Sequence, residues 1–135
     1  MNECTFCDIV AGEVSDHILY EDRLTIAFLD ENPAIEGHTL IIPKEHVEDL
    51  LRADQTTATA VLQTARAVGA AMSETLEPDG FSTFHTTGGL VGNVEHAHLH
   101  LLPRYADDDI RIALERTRLD DYDSDRLVDL LDDQL

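Results

Sequence analysis

Apolar positions fall into short blocks separated by turn residues, with one long stretch of helical spacing among them. Phe6 to Ala11 reads as a helical turn ended by Gly12. Ile18 to Tyr20 and Leu24 to Leu29 read as two strands of a hairpin across Asp22-Arg23, and Asp30 to Pro33 breaks the run. His38 to Ile42 is apolar and β-branched and stops at Pro43, which predicts a buried strand. From Asp54 to Leu76 the apolar residues Ala58, Val61, Leu62, Ala65, Val68, Met72 and Leu76 recur at three- and four-residue steps. Asp54 is placed to cap this helix, and Pro78-Asp79-Gly80 to stop it. Phe81 to His85 returns to strand, Thr86 to Asn93 is a glycine-rich loop, and Val94 to Leu102 alternates up to Pro103. Beyond Tyr105, Leu127, Val128, Leu130, Leu131 and Leu135 predict a final amphipathic helix in an acidic segment. The order β-β-β-α-β-β predicts an α+β domain over residues 1–105, an antiparallel five-stranded sheet with one long helix packed on it. An acidic, partly helical extension over 106–135 follows. A sheet this small gains by pairing with a second copy, so a homodimer that extends the sheet is expected.

Charge narrows the partners. The 135 residues carry 28 Asp+Glu against 9 Lys+Arg, a formal net charge of −19. That excludes a phosphate-tracking nucleic-acid binder and a polybasic membrane binder. With 43% hydrophobic residues in periodic runs, the imbalance is not one of disorder. Lys44 is the single lysine. Carboxylates in place of flexible ammonium groups maximise self-repulsion, which molar salt, with a Debye length of ~3 Å, would screen. The expected setting is therefore the cytosol of a halophilic archaeon. No charged-then-apolar leader opens the chain and no apolar run approaches the ~18 residues of a membrane span, so a cytoplasmic location is expected.

Two groups of residues carry chemistry. Cys4 and Cys7 form a CxxC, which in a reduced compartment points to metal binding or redox chemistry over a structural disulfide. His96-Ala97-His98-Leu99-His100 would place three imidazoles on one strand face, with Ala97, Leu99 and Leu101 facing the helix. Those imidazoles fit either metal ligands or a nucleophile flanked by helpers. The preceding loop, Gly88 to Asn93, offers backbone N–H groups that can cradle phosphate oxygens, which favours a nucleophile acting on phosphorus.

Taken together these residues resemble the histidine triad (HIT) family of nucleotide hydrolases and transferases. The similarity covers Cys4-Thr5-Phe6-Cys7-Asp8-Ile9, Tyr20-Glu21-Asp22, Ala27-Phe28-Leu29-Asp30, Asn32-Pro33, Gly37 to His46 and His96 to Arg104, about three-quarters of the chain. The loop departs from the family pattern. Thr86-Thr87-Gly88 stands where members commonly carry Asn-x-Gly, and Gly92-Asn93 stands one residue closer to the first histidine than their Gly-Gln.

The resemblance implies a homodimeric HIT-like fold that binds a purine nucleotide and cleaves nucleoside phosphoramidates or dinucleoside polyphosphates at the α-phosphorus. His98 would be the nucleophile, forming a nucleotidyl-imidazole that water hydrolyses. His100 would donate a hydrogen bond to the phosphoryl or leaving oxygen, His38 would hold and polarise the cluster, and this group would supply the leaving group's proton. Asp30 matches the family's ribose-binding carboxylate. An apolar base pocket would form from Phe6, Ile9, Val14 and Phe28, while Gly92 and Asn93 would approach the phosphate. A subset of the family implies a closed structural zinc site, which maps here onto Cys4, Cys7, His46 and His96. A nucleotidyltransferase and a non-catalytic nucleotide-binding module remain as alternatives.

Overall fold

A computed structural model describes residues 4–13, 17–89 and 94–135. The element order is α1 (Thr5–Val10), β1 (Ile18–Glu21), β2 (Thr25–Leu29), β3 (Thr39–Pro43), α2 (Gln55–Leu76), β4 (Gly80–Phe84), β5 (Leu99–Arg104) and α3 (Asp121–Asp132). The five strands form one antiparallel sheet in the order β1-β2-β3-β5-β4. The predicted α+β architecture is therefore what the chain adopts.

Strand alternation splits the core in two. Ala27, Ile41 and Leu101 point to one face and pack with Val61, Ala65, Val68 and Met72 of α2. Their strand neighbours Ile26, Phe28, Leu40 and Ile42 point to the other face and pack with Phe6 and Ile9 of α1. The short N-terminal helix thus covers a second apolar face that the long helix cannot reach. Asp54 caps α2 by accepting a 2.8 Å hydrogen bond from the Thr57 N–H, as expected from the sequence. A 2.6 Å bond between the Thr25 and Thr64 hydroxyls ties the sheet to this helix. Gly37 has φ of +93°, and a Cβ there would meet Pro103 at 3.1 Å and Leu76 at 3.2 Å, so glycine lets β3 start close against β5.

The strand expected to run from Val94 begins only at Leu99. The reason is local. The Ala97 N–H donates to the Val47 carbonyl at 2.7 Å, and the His96 carbonyl accepts from the His98 ring at 2.8 Å, so this backbone serves the connector between β3 and α2 and its own side chains. The C-terminal helix forms as predicted but holds no buried residue, and Leu127, Val128, Leu130 and Leu131 stay exposed. Arg104 fastens the start of this extension to the sheet through Asp108 and the Ile110 carbonyl. Among the described residues no helix is long and apolar enough to cross a membrane.

Candidate active site and metal centre

His38 stands immediately before β3 and His100 lies within β5, and the pairing of these strands brings their rings together. The His38 Nδ1 accepts from the Ala34 N–H at 3.0 Å, so its proton sits on Nε2 and points at the His100 Nδ1, 2.9 Å away. His100 therefore carries its own proton on Nε2 and presents it as a donor. His98 is set the opposite way. Its Nδ1–H donates to the His96 carbonyl at 2.8 Å, which leaves the Nε2 lone pair free in the neutral ring. The His98 and His100 ring centroids are 5.1 Å apart. One imidazole with a free lone pair thus stands beside another with a free N–H.

Burial, and then the neighbouring His98 and His38, push His100 down to about 4, against a smaller upward pull from Asp30. At neutral pH His100 is accordingly an uncharged hydrogen-bond donor, better suited to holding an oxygen than to acting as an imidazolium acid. His38 is also lowered, by burial, with Asp30 opposing the shift. An NMR pH titration of the ring protons is expected to show His100 remaining neutral until about pH 4. A midpoint near the free-imidazole value of about 6.5 would contradict the assignment. Because the folded-state value is depressed, the unfolded chain binds this proton first. The contribution to stability is complete above about pH 6.5 and is lost as the pH falls toward 4.

Asp30 lies where β2 ends. Its Oδ2 is 3.5 Å from the His38 Nε2 and its Oδ1 accepts from the Asn32 N–H at 2.9 Å. The carboxylate stays partly open beside the triad. Phe6, Ile9 and Phe28 occupy the core between α1 and the sheet, with 7%, 3% and 2% of their surfaces exposed. Phe6 sets its ring edgewise to Phe28, His96 and His98. All three are core residues, and Phe6 carries the ring contacts from that core to the histidines. Val14, Gly92 and Asn93 lie outside the described residues.

Cys4, Cys7, His46 and His96 converge at the other end of the histidine segment, their four donor atoms all within 4.8 Å of one another. The Cys4 Sγ is 3.4 Å from the His96 Nδ1, and the Cys7 Sγ is 3.1 Å from the His46 Nδ1 and 3.5 Å from the His96 Nδ1. Bonds of ~2.3 Å to sulfur and ~2.0 Å to nitrogen in a tetrahedron give sulfur–nitrogen edges of roughly 3.5 Å, so the donor set fits zinc. His96 is oriented for that role, because its Nε2–H donates to the Pro43 carbonyl at 2.7 Å and leaves Nδ1 toward the sulfurs. Asp30, His38 and His100 also cluster, but there the facing nitrogens are joined by the hydrogen bond already described.

Some site residues carry no signal in the sequence pattern. Phe84, at the end of β4, stacks on His100 with centroids 4.2 Å apart and planes 14° from parallel. His85 and the buried Asp49 border the same region. Phe84 and His85 are visible in the sequence only as the end of a strand, and their contacts need the pairing of β4 with β5.

Comparison with known proteins agrees with this architecture. The HIT domain profile matches residues 11–107. The chain is 36% identical over 120 residues to Protein hit of Bacillus subtilis, covering 88% of this chain and 83% of that protein. It is 35% identical over 104 residues to adenylylsulfatase HINT3 of Arabidopsis thaliana, covering 76% of this chain and 53% of that one. To adenosine 5'-monophosphoramidase hnt1 of Schizosaccharomyces pombe it is 31% identical over 102 residues, 75% and 74% of the two chains. A crystal structure from Streptococcus mutans UA159 superposes with a TM-score of 0.93 at 35% identity, over 99% of this chain and 86% of that one. A zinc-bound histidine triad family protein from Mycobacterium smegmatis gives 0.76 at 32% identity, over 98% of each. With the fold, the paired histidines and these relatives in agreement, the chain belongs to the HIT family.

Proposed function

We propose that this HIT protein is a nucleotide hydrolase that cleaves phosphoramidates or dinucleoside polyphosphates at the α-phosphorus through a nucleotidyl intermediate on His98. The observation that carries the reading is the opposed pair of tautomers, a free Nε2 lone pair on His98 beside a free Nε2–H on His100. In the first step the His98 lone pair forms a bond to the α-phosphorus and the bond to the leaving group breaks. The leaving amine or phosphate takes the electron pair of the broken bond. Its proton comes from water, not from the histidines as the resemblance implies, because His100 is uncharged at neutral pH and keeps its N–H for the phosphoryl oxygen. His100 holds a phosphoryl oxygen by its N–H, and His38 fixes the His100 tautomer. Water then attacks the phosphorus and releases a proton to solvent, the phosphorus–nitrogen bond breaks, and His98 departs as a neutral imidazole that still carries its Nδ1–H. Two displacements replace one difficult attack by water. Asp30 would accept from the ribose hydroxyls, and a purine would lie over Phe6, Ile9 and Phe28. Val14, Gly92 and Asn93 complete the proposed nucleotide contacts.

Cys4, Cys7, His46 and His96 would hold one structural zinc. When bound, it supplies a cross-link between α1 and the histidine segment. Incubation with adenosine phosphoramidate and diadenosine polyphosphates, beside an Asp30→Ala protein, tests the reading. The substitution is expected to raise KM about tenfold or more through lost ribose hydrogen bonds. Adenosine phosphoramidate and diadenosine polyphosphates left intact by the parent protein would contradict it.

In this reading residues 1–105 form the catalytic domain and 106–135 an acidic extension, within a cytoplasmic homodimer whose sheet continues across the subunits. Sedimentation at twice the chain mass is expected, and a monomer would contradict it. The charge of −19 suits the molar salt of a halophilic cytosol. The thermal midpoint should therefore rise from low salt to molar KCl. A midpoint that stays level or falls would remove the salt adaptation from the account.

A further inference from the structure

The connector between β3 and α2 meets the Cys/His cluster, the histidine segment and the residues that follow β4. His46 belongs to the Cys/His cluster, and the Val47 carbonyl accepts from Ala97 within the histidine segment at 2.7 Å. Next along the connector, the Leu50 N–H donates to the His85 Nε2 at 3.2 Å and the Thr87 hydroxyl donates to the Asp49 Oδ2 at 3.1 Å. Asp49 is a buried carboxylate, 6% exposed, that the chemistry above does not use. Burial alone would raise its proton affinity, but hydrogen bonds from the Arg52 N–H and Thr87, with the Arg52 charge, outweigh that cost and keep it ionised.

His85 is equally well placed. It follows Phe84, the ring stacked on His100, and its charge would oppose those of His98 and His100. Adjacent residues at the end of β4 thus lie against the triad and grip the connector. Thr87 then leads into Gly88 and Gly89, with φ of +88° and +74° and no atom within 4 Å of where a Cβ would stand. Neither glycine N–H makes a hydrogen bond among the described residues. Consecutive backbone N–H groups in such a turn form an anion-binding concavity.

We propose that Asp49, His85 and Thr87 form a latch that fixes the Gly88-Gly89 turn beside the triad and so lets the site accept an anionic leaving group. An amine leaving group does not need those donors, whereas the phosphates of a polyphosphate do. The three are positioning residues. Thr87 anchors the turn to the connector through Asp49. The leaving-group preference rests on the hydrolase reading, whereas anion binding at the latched turn does not.

The test compares Thr87→Val and His85→Leu with Thr87→Ser and His85→Gln, which keep the hydroxyl and the acceptor. Each is assayed on adenosine phosphoramidate and on a diadenosine polyphosphate. Valine and leucine are expected to lower kcat/KM for the dinucleotide about tenfold relative to the phosphoramidate, chiefly in KM. Serine and glutamine should restore the ratio to within about twofold. An unchanged ratio, or equal loss on both substrates, would overturn the latch. A parent protein without turnover refutes the hydrolase reading instead. The latch is then judged by titrating inorganic phosphate against the Gly88 and Gly89 amide resonances. Shifts in the parent that weaken about tenfold in Thr87→Val support it, and their absence in the parent overturns it.

Discussion

Replacing His98 with alanine is expected to reduce turnover of adenosine phosphoramidate by about 10⁴-fold or more, equivalent to roughly 5 kcal/mol of lost transition-state stabilisation. The size follows from the chemistry. Without the Nε2 lone pair the covalent step has no nucleophile, and only phosphate positioning by the remaining histidines survives. KM should change far less than kcat, because His100, His38 and Asp30 keep their own partners: the Ala34 N–H, the His38–His100 bond and the Asn32 N–H. Steady-state assays on protein shown by circular dichroism to be folded check this. A loss smaller than about tenfold would place the nucleophile elsewhere.

Loss of the Cys/His centre is the second large effect. Cys7→Ala removes the sulfur closest to His46 and one of two facing His96, leaving three donors, too few for a closed tetrahedral site. Metal binding free energy is folding free energy where the ligands come from distant segments, and here they come from α1, the connector and the histidine segment. The expected cost is about 3 kcal/mol, or a midpoint lower by roughly 10 °C in a chain of this size. Activity should fall as well, since His98 is held by the carbonyl of His96, itself a member of the cluster. Elemental analysis and thermal unfolding, with and without a chelator, provide the measurement. A parent protein purified without chelator that holds no zinc, and whose midpoint equals that of Cys7→Ala, would remove the metal from the account.

The elements whose information is local were legible in the sequence. The apolar spacing of α2, its Asp54 cap and the turn after Leu76 mark that helix almost to the residue, and period-two alternation separates Ile26 and Phe28 from Ala27. The histidine segment was legible as a group but not in its backbone. Alternation predicts a strand from Val94, while hydrogen bonds to Val47 and within His96–His98 delay it to Leu99. Tautomers were likewise beyond reach, since they depend on Ala34 and on the meeting of β3 with β5. Phe6, Ile9 and Phe28 carry the same apolar character whether they line a pocket or fill a core, and only packing shows them as core that borders the site. The amphipathic pattern of the tail identifies α3 but says nothing about what its apolar face meets.

The central claim is that nucleotide is carried covalently on His98. Rapid mixing with adenosine phosphoramidate, an alkaline quench that preserves phosphorus–nitrogen bonds, and peptide mapping by mass spectrometry address it in one measurement. The account predicts one adenylyl group per subunit on the peptide containing His98, localised to that ring and formed before product accumulates. Product that builds up with no adduct at any time, or an adduct on His96 or His100 in its place, would contradict it.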